Sequence, residues 1–249
     1  MAPQAKDMEG ATVQALLGLS DVLGLTRFQR YHALWLFVDK LLPALTGSQA
    51  KQIPTTDRDN SHELPLLLFA VASLLLATEE VTAVAPVPPA GQAPGQANRP
   101  GLKAVYEAAC SALDDSFSAS YNSSKLQEAS NIIKTEVKAR KHRLTTDFLE
   151  EMFCKIGESG LATFQCVKVE TCYMIIELLY TSKDYRVSQP LECGGKLLAA
   201  AIIATAFAIT VPPAQVTSLP FLSWLSDLSM HPKEVIKAQT EQVIAYVLK

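Results

Sequence analysis

A dominant charge is the first thing this sequence lacks. Its 22 lysines and arginines stand against 25 acids, a net charge of −3, so the basic stripe of a nucleic-acid binder is not expected. Cysteine is sparse and odd in number, five in 249 residues. Without paired short spacings it makes no disulfide framework and fits a reducing compartment. No apolar run reaches the ~20 residues that span a bilayer as helix. The two longest, Leu64 to Ala77 and Leu197 to Val211, hold 14 and 15 residues. Met1 to Gly10 carries acids and no apolar stretch, which reads as no signal peptide. The expectation is an intracellular, soluble, globular chain with no membrane contact.

Chemical signatures are equally thin. There is no Gly-x-Ser-x-Gly, and no His is placed to serve a Cys. Cys166 and Cys172 fall at neither a zinc-ligand spacing nor one helix face. Cys110, Cys154, Cys172 and Cys193 read as buried free thiols. Cys193-Gly194-Gly195-Lys196 glances at a phosphate loop, but Pro190 and Leu197 stand where that loop needs Gly and Ser or Thr. It reads instead as the start of a core helix. No catalytic residue, metal site or cofactor is expected.

What is present is apolar and helical, with 49% hydrophobic side chains. Leu34, Phe37, Val38, Leu41, Leu42 and Leu45 follow the three-four spacing of one helix face. Val169, Cys172, Tyr173, Ile176, Leu179 and Tyr180 repeat that spacing, and Val235, Ile236, Val243, Ile244 and Val247 outline a last helix behind Pro232. The best strand signal, Asn131 to Arg140, alternates loosely and is equally helix. The two long apolar runs are too short to span a membrane and apolar all round, the mark of helices buried at the centre of others. The expected fold is all-α.

A pattern repeats along the chain. An amphipathic helix over Phe28 to Leu45 precedes Leu64 to Ala77, as Cys166 to Tyr180 precedes Leu197 to Val211. Small residues in both apolar runs, among them Ala70, Ala72, Ala77, Ala199 to Ala201, Ala204 and Ala206, permit close helix approach. Two helical domains around two apolar centres account for the repeat, with a join near Lys141 to Asp147. Val81 to Pro100, rich in proline, alanine and glycine, reads as an insertion loop. Lys138, Arg140, Lys141, His142 and Arg143 form the basic cluster, either a solvated helix end or an anion contact.

On these residues the sequence resembles a diverged cyclin, of the transcription or meiotic type. Phe37-Val38-Asp39-Lys40-Leu41-Leu42 stands where cyclins carry aromatic-Ile-Asp-Arg-aromatic-Leu in the second helix. Leu76-Ala77-Thr78-Glu79-Glu80 stands at the third-helix motif Leu-Ala-Ser-Lys-x-Glu-Glu. Glu128, Ile132, Thr135, Val137, Thr145-Thr146 and Phe148-Leu149 lie along the fifth-helix motif with one insertion. Phe221 to Leu225, on to Tyr246, is similar to the last helices of such cyclins. The substrate-docking motif Met-Arg-Ala-Ile-Leu meets Val13-Gln14-Ala15-Leu16-Leu17.

The resemblance implies tandem five-helix cyclin-like boxes, each around a buried central third helix, over 11–145 and 146–249, with 81–100 inserted in the first. It implies a non-enzymatic regulatory subunit that binds and activates a cyclin-dependent protein kinase as a heterodimer in nucleus or cytoplasm. The alternative is a cyclin-fold adaptor in transcription or meiosis without kinase activation. Cyclins grip the kinase through a Lys of the third helix and a Glu of the fifth. Here Glu79 falls at the Lys position, and Glu128 at the Glu, with Glu136 the alternative in another register; Glu128 keeps the distance to Phe148. The kinase-binding face it implies comprises Leu76, Glu79, Glu80 and Glu128, with Phe148 supporting it.

Overall fold

The computed structural model describes residues 8–43, 63–80, 100–113, 115–136, 143–158, 167–182, 185, 195–211 and 221–248. The proposed insertion lies outside them but for Pro100, as do Leu45 and most of the basic cluster. Every regular element among the described residues is helical. The chain divides into two compact units, Met1–Arg140 and Lys141–Lys249.

In the first unit α1 spans Met8–Val22 and α2 spans Arg27–Trp35, followed without a break by a π-helical turn over Leu36–Leu41. Next come α3 (Glu63–Glu80), α4 (Leu102–Ala112), the short α5 (Asp115–Ser120) and α6 (Ser123–Glu136). Local chemistry sets the boundaries. Gly24 adopts φ +60 after α1, the left-handed conformation that costs glycine little. Thr26 opens α2 with a capping box. Its hydroxyl accepts from the Gln29 N–H at 3.3 Å, and the Gln29 Oε1 accepts from the Thr26 N–H at 2.9 Å. Asn122 caps α6, its Oδ1 accepting from the Lys125 N–H at 2.9 Å.

The second unit contains α7 (Thr145–Glu158), α8 (Val169–Thr181), α9 (Gly195–Thr210), α10 (Phe221–Ser229) and α11 (Lys233–Val247). Asp147 Oδ2 accepts from the Leu144 N–H at 2.7 Å and fixes the start of α7. Phe207 of α9 stacks on Phe221 of α10 with centroids 4.0 Å apart. Tyr173 of α8 donates its hydroxyl hydrogen to Glu150 of α7 at 2.6 Å.

The two units share an internal plan. α3 packs against α1, α2, α4 and α6, and α9 packs against α7, α8, α10 and α11. Residues 69–78 of α3 are buried without interruption, as are residues 198–207 of α9. A helix surrounded on all sides buries no polar face, which is why both runs are apolar all round. The hydroxyls they carry turn back on their own backbone. Ser73 donates to the Phe69 carbonyl at 2.8 Å, and Thr205 to the Ala201 carbonyl at 2.9 Å.

Two expectations need correction, and one open reading is decided. The spacing of Leu34 to Leu42 suggests a regular α-helix, but the backbone widens to a π-turn at Leu36–Leu41. Leu34 to Val38 are buried consecutively there, while Asp39 and Lys40 are half-buried. Cys172 is buried, but Cys154 is exposed and Cys110 half-buried. The buried face of α7 runs through Thr146, Leu149, Met152 and Ile156, and Cys154 falls between those positions. Of the two readings open for Asn131 to Arg140, helix holds over Asn131 to Glu136, the end of α6, and the remainder lies outside the described residues.

Ser130, fully buried on α6, has a hydroxyl with no hydrogen-bond partner among the described residues. A buried, unsatisfied hydroxyl costs free energy, and alanine is the better helix former. Ser130→Ala is therefore expected to stabilise the chain by about 1 kcal/mol, read as a higher midpoint in urea unfolding. A lower midpoint would show that the hydroxyl is satisfied.

Candidate functional site

The residues that the sequence points to fall into two groups. Leu76, Glu79 and Glu80 occupy the last turns of α3, and Glu128 lies on α6, the helix packed beside it. Phe148 belongs to the second unit, in the first turns of α7.

Within the first group the side chains differ sharply. Leu76 is 1% exposed and belongs to the interior. Thr78, also buried, donates to the Leu75 carbonyl at 2.7 Å and closes the helix against Pro100, whose carbonyl lies 3.4 Å away. Glu79 reaches the surface, and its Oε2 lies 2.6 Å from Nζ of Lys134 on α6. The Glu80 side chain lies outside the described residues. Glu128 is exposed. It sits six residues before Lys134, about 9 Å along the helix axis at 1.5 Å per residue. The structure thus brings Glu79 and Lys134 together, with Glu128 on the same helix as the lysine.

Both partners of the Glu79–Lys134 pair are 42% exposed. Solvent screening leaves such a pair worth about 0.2–1 kcal/mol. Its meaning is geometric, since it ties the end of α3 to α6 and fixes where one acid and one base stand. Lys134 was not anticipated from sequence. It is 55 residues from Glu79, and only the packing of α3 on α6 makes them neighbours.

Other motif residues take supporting positions. Val13, Leu16 and Leu17 are buried on α1 while Gln14 faces solvent. Phe37, Val38, Leu41 and Leu42 are buried, and Lys40 places its ammonium 5.3 Å from the Trp35 ring centroid.

Around Phe148 the second unit collects charge. Arg143 lies 4.5 Å and Lys196 5.6 Å from the ring centroid. Arg143 also pairs with Glu151 at 2.7 Å, and Lys155 holds the other oxygen of that carboxylate at 2.7 Å. Hydrogen bonds from Lys155 and then Arg143 lower the Glu151 carboxyl to about 2. A depressed carboxyl contributes stability that is present above its unfolded value and lost as pH falls toward the folded one. Stability is therefore expected to fall between pH ~4.5 and ~2, modestly because the Glu151 side chain is 36% exposed. Glu151→Gln should flatten that acid limb in urea unfolding at pH 5 and pH 3; an unchanged limb would assign the loss to other carboxyls. Cys172 moves the other way, pushed up to about 12 by burial and then by the charge of Glu170. It is a packing residue in its thiol form, not a nucleophile.

Among the described residues no group of three or more His, Cys, Asp or Glu is placed to hold a metal ion. No helix among them is long and apolar enough to cross a membrane. No protein-family model matches the chain, and comparison with curated proteins finds no matching relative.

Proposed function

We propose that this chain is a cyclin-like regulatory subunit that binds a cyclin-dependent protein kinase and stabilises its active conformation. The observation that carries the reading is the internal plan of the two units. Among the described residues, each has five helices of nine residues or more, and the third of them packs against the other four. That is the arrangement the sequence resemblance implies for paired cyclin boxes. The ordered motifs at the ends of the second, third and fifth helices support it.

In this reading the chain supplies no catalytic group. A rigid helical face fits only the aligned position of the kinase's regulatory helix, so binding shifts the population toward that state. The kinase's own lysine–glutamate pair and metal-binding aspartate then carry out phosphoryl transfer. The face is the end of α3 with α6, where Glu79, Glu80 and Glu128 stand. The resemblance leads to an opposite-sign pair on these two helices, and Glu79 with Lys134 is such a pair in reversed order.

The test is to isolate the full chain with its cellular partners. A cyclin-dependent kinase is expected in stoichiometric amount, with phosphoryl transfer rising on complex formation. Glu128→Ala should weaken binding by about 1–3 kcal/mol, the scale of a hydrogen bond to a charged group, with the melting temperature unchanged. Exchanging the pair, Glu79→Lys with Lys134→Glu, keeps the tie between the helices and reverses the sign presented to the kinase. If no kinase is recovered, the adaptor reading replaces this one. If both variants bind like the parent chain, the interface lies elsewhere.

A further inference from the structure

The outer face of α11 plays no part in the kinase reading, and its residues are unusual for a face that meets only water. α11 packs on α8, α9 and α10 and buries Ile236, Thr240 and Val243. At about 100° per residue, Ala238 and Ala245 point away from that buried side, and both are exposed. Lys237 and Glu241 run beside them, each 68% exposed, and their contact within the helix is only just made at 4.0 Å. Exposed apolar groups stand at both ends. Val235 in the first turn is 42% exposed, and Leu248 at the close is 74% exposed.

The corner that leads into α11 supplies an independent sign. Met230 has φ 62, and among the described residues it is the one non-glycine with a positive φ. Three hydrogen bonds hold the corner. The Met230 N–H donates to the Ser226 carbonyl at 2.9 Å, the Ser226 hydroxyl to the His231 carbonyl at 2.7 Å, and the His231 N–H to the Ser229 hydroxyl at 3.3 Å. A side chain in that left-handed conformation costs free energy that glycine does not. Where α1 ends, the same conformation is filled by Gly24. The Met230 side chain is 79% exposed, so burial within the chain does not offset the cost.

We propose that two copies of this chain pair through α11, antiparallel about a two-fold axis, with Met230 and Leu248 as apolar contacts at the ends of the seam. The charge pattern is self-complementary in that arrangement. With the axis at the level of Gln239, Lys237 of one copy stands opposite Glu241 of the other, and the symmetry makes that pair twice. Ala238 lies near the axis, where a small side chain lets the two helices approach. The Leu248 end of one copy covers the Met230 and Val235 end of the other. A parallel pair would instead set Lys237 against Lys237 and Glu241 against Glu241. A single pair of helices this short buries less than the ~1,200 Å² of a stable interface, so the dimer is weak and reversible, in the micromolar range.

Sedimentation equilibrium of the full chain, from micromolar to submillimolar concentration, is the test, and it does not depend on the kinase reading. A monomer–dimer equilibrium is expected. Lys237→Glu and Glu241→Lys should each weaken it about tenfold, since each sets like charges opposite one another twice. Joining both changes in one chain, or mixing the two single variants, restores opposite charges and should bring affinity back to within about threefold of the parent. Leu248→Ser should weaken association about tenfold, through two lost apolar contacts per dimer. Met230→Gly should weaken it likewise without lowering the melting temperature of the dilute monomer, because glycine relieves the corner. A monomer at every concentration overturns the proposal and leaves the face to another protein or to water. A dimer that the charge reversals leave intact, or that mixing fails to restore, also overturns it, since α11 would not then pair in this register. Undiminished association in Met230→Gly overturns it too, because the strained corner would then serve no contact.

Discussion

Replacing Ala201 by Phe is expected to destabilise the chain by about 1–3 kcal/mol or more. Ala201 lies within the uninterrupted buried stretch of α9 and exposes no surface. Among the described residues four helices pack on α9, so an added ring meets side chains whichever way it turns. Close-packed interiors yield little without displaced rotamers and shifted backbone. Ala208, on the same helix, is exposed. Ala208→Phe carries the same propensity cost, roughly half a kcal/mol, and no overpacking. The difference between the two in urea midpoint isolates the packing contribution. Equal midpoints would mean that α9 is not enclosed and would remove it from the centre of the second unit.

The two central helices were the most legible part of the sequence, for a reason that combines length with polarity. Leu64 to Ala77 and Leu197 to Val211 are too short to span lipid and too apolar to face water, which leaves burial among other helices. The small residues in each, such as Ala72 and Ala201, marked how closely neighbours approach. The π-turn at Leu36–Leu41 was illegible because Leu34, Phe37, Val38 and Leu41 fit an α-period equally well. Cys154 departs from the burial expected of cysteine for a different reason. Cysteine as a residue type favours burial, but position on α7 decides, and the buried face there belongs to Leu149, Met152 and Ile156.

The surface groups were the hardest to place, because they depend on contacts between helices rather than on spacing along one helix. Glu79 could be singled out by its place in a motif, but its lysine partner could not. Likewise the run Cys193 to Lys196 lacks a phosphate-loop pattern, and Gly195 does begin α9. What the pattern could not show is that Gly195 lets α9 start against Phe148 and Thr145. Glycine there serves close approach, with no special φ required. The charge gathered at that corner follows from packing, so a reading along the chain passes over it.

Leu76→Ala is expected to cost about 2–5 kcal/mol of folding stability while leaving partner affinity nearly unchanged. The resemblance places Leu76 at the kinase-binding face, but the side chain is 1% exposed, at the buried end of α3. Its deletion removes apolar burial and leaves a cavity that the surrounding helices fill only in part. A partner that cannot touch Leu76 loses no contact when it is truncated. Affinity then falls only by the fraction of chain that unfolds, which stays small while several kcal/mol of stability remain. Glu128 behaves in the opposite way. It is exposed, so Glu128→Ala should spare folding, and under the proposed function it should weaken kinase binding. Measuring urea midpoint and kinase affinity for both variants gives a crossed pattern if α3 supports the face from within while the acids on α3 and α6 present it. Should Leu76→Ala weaken binding tenfold or more in a chain that remains folded, the end of α3 must open on complex formation and expose that leucine. The kinase would then bind a rearranged helix end, and Glu79 and Lys134 would have to separate for it to do so.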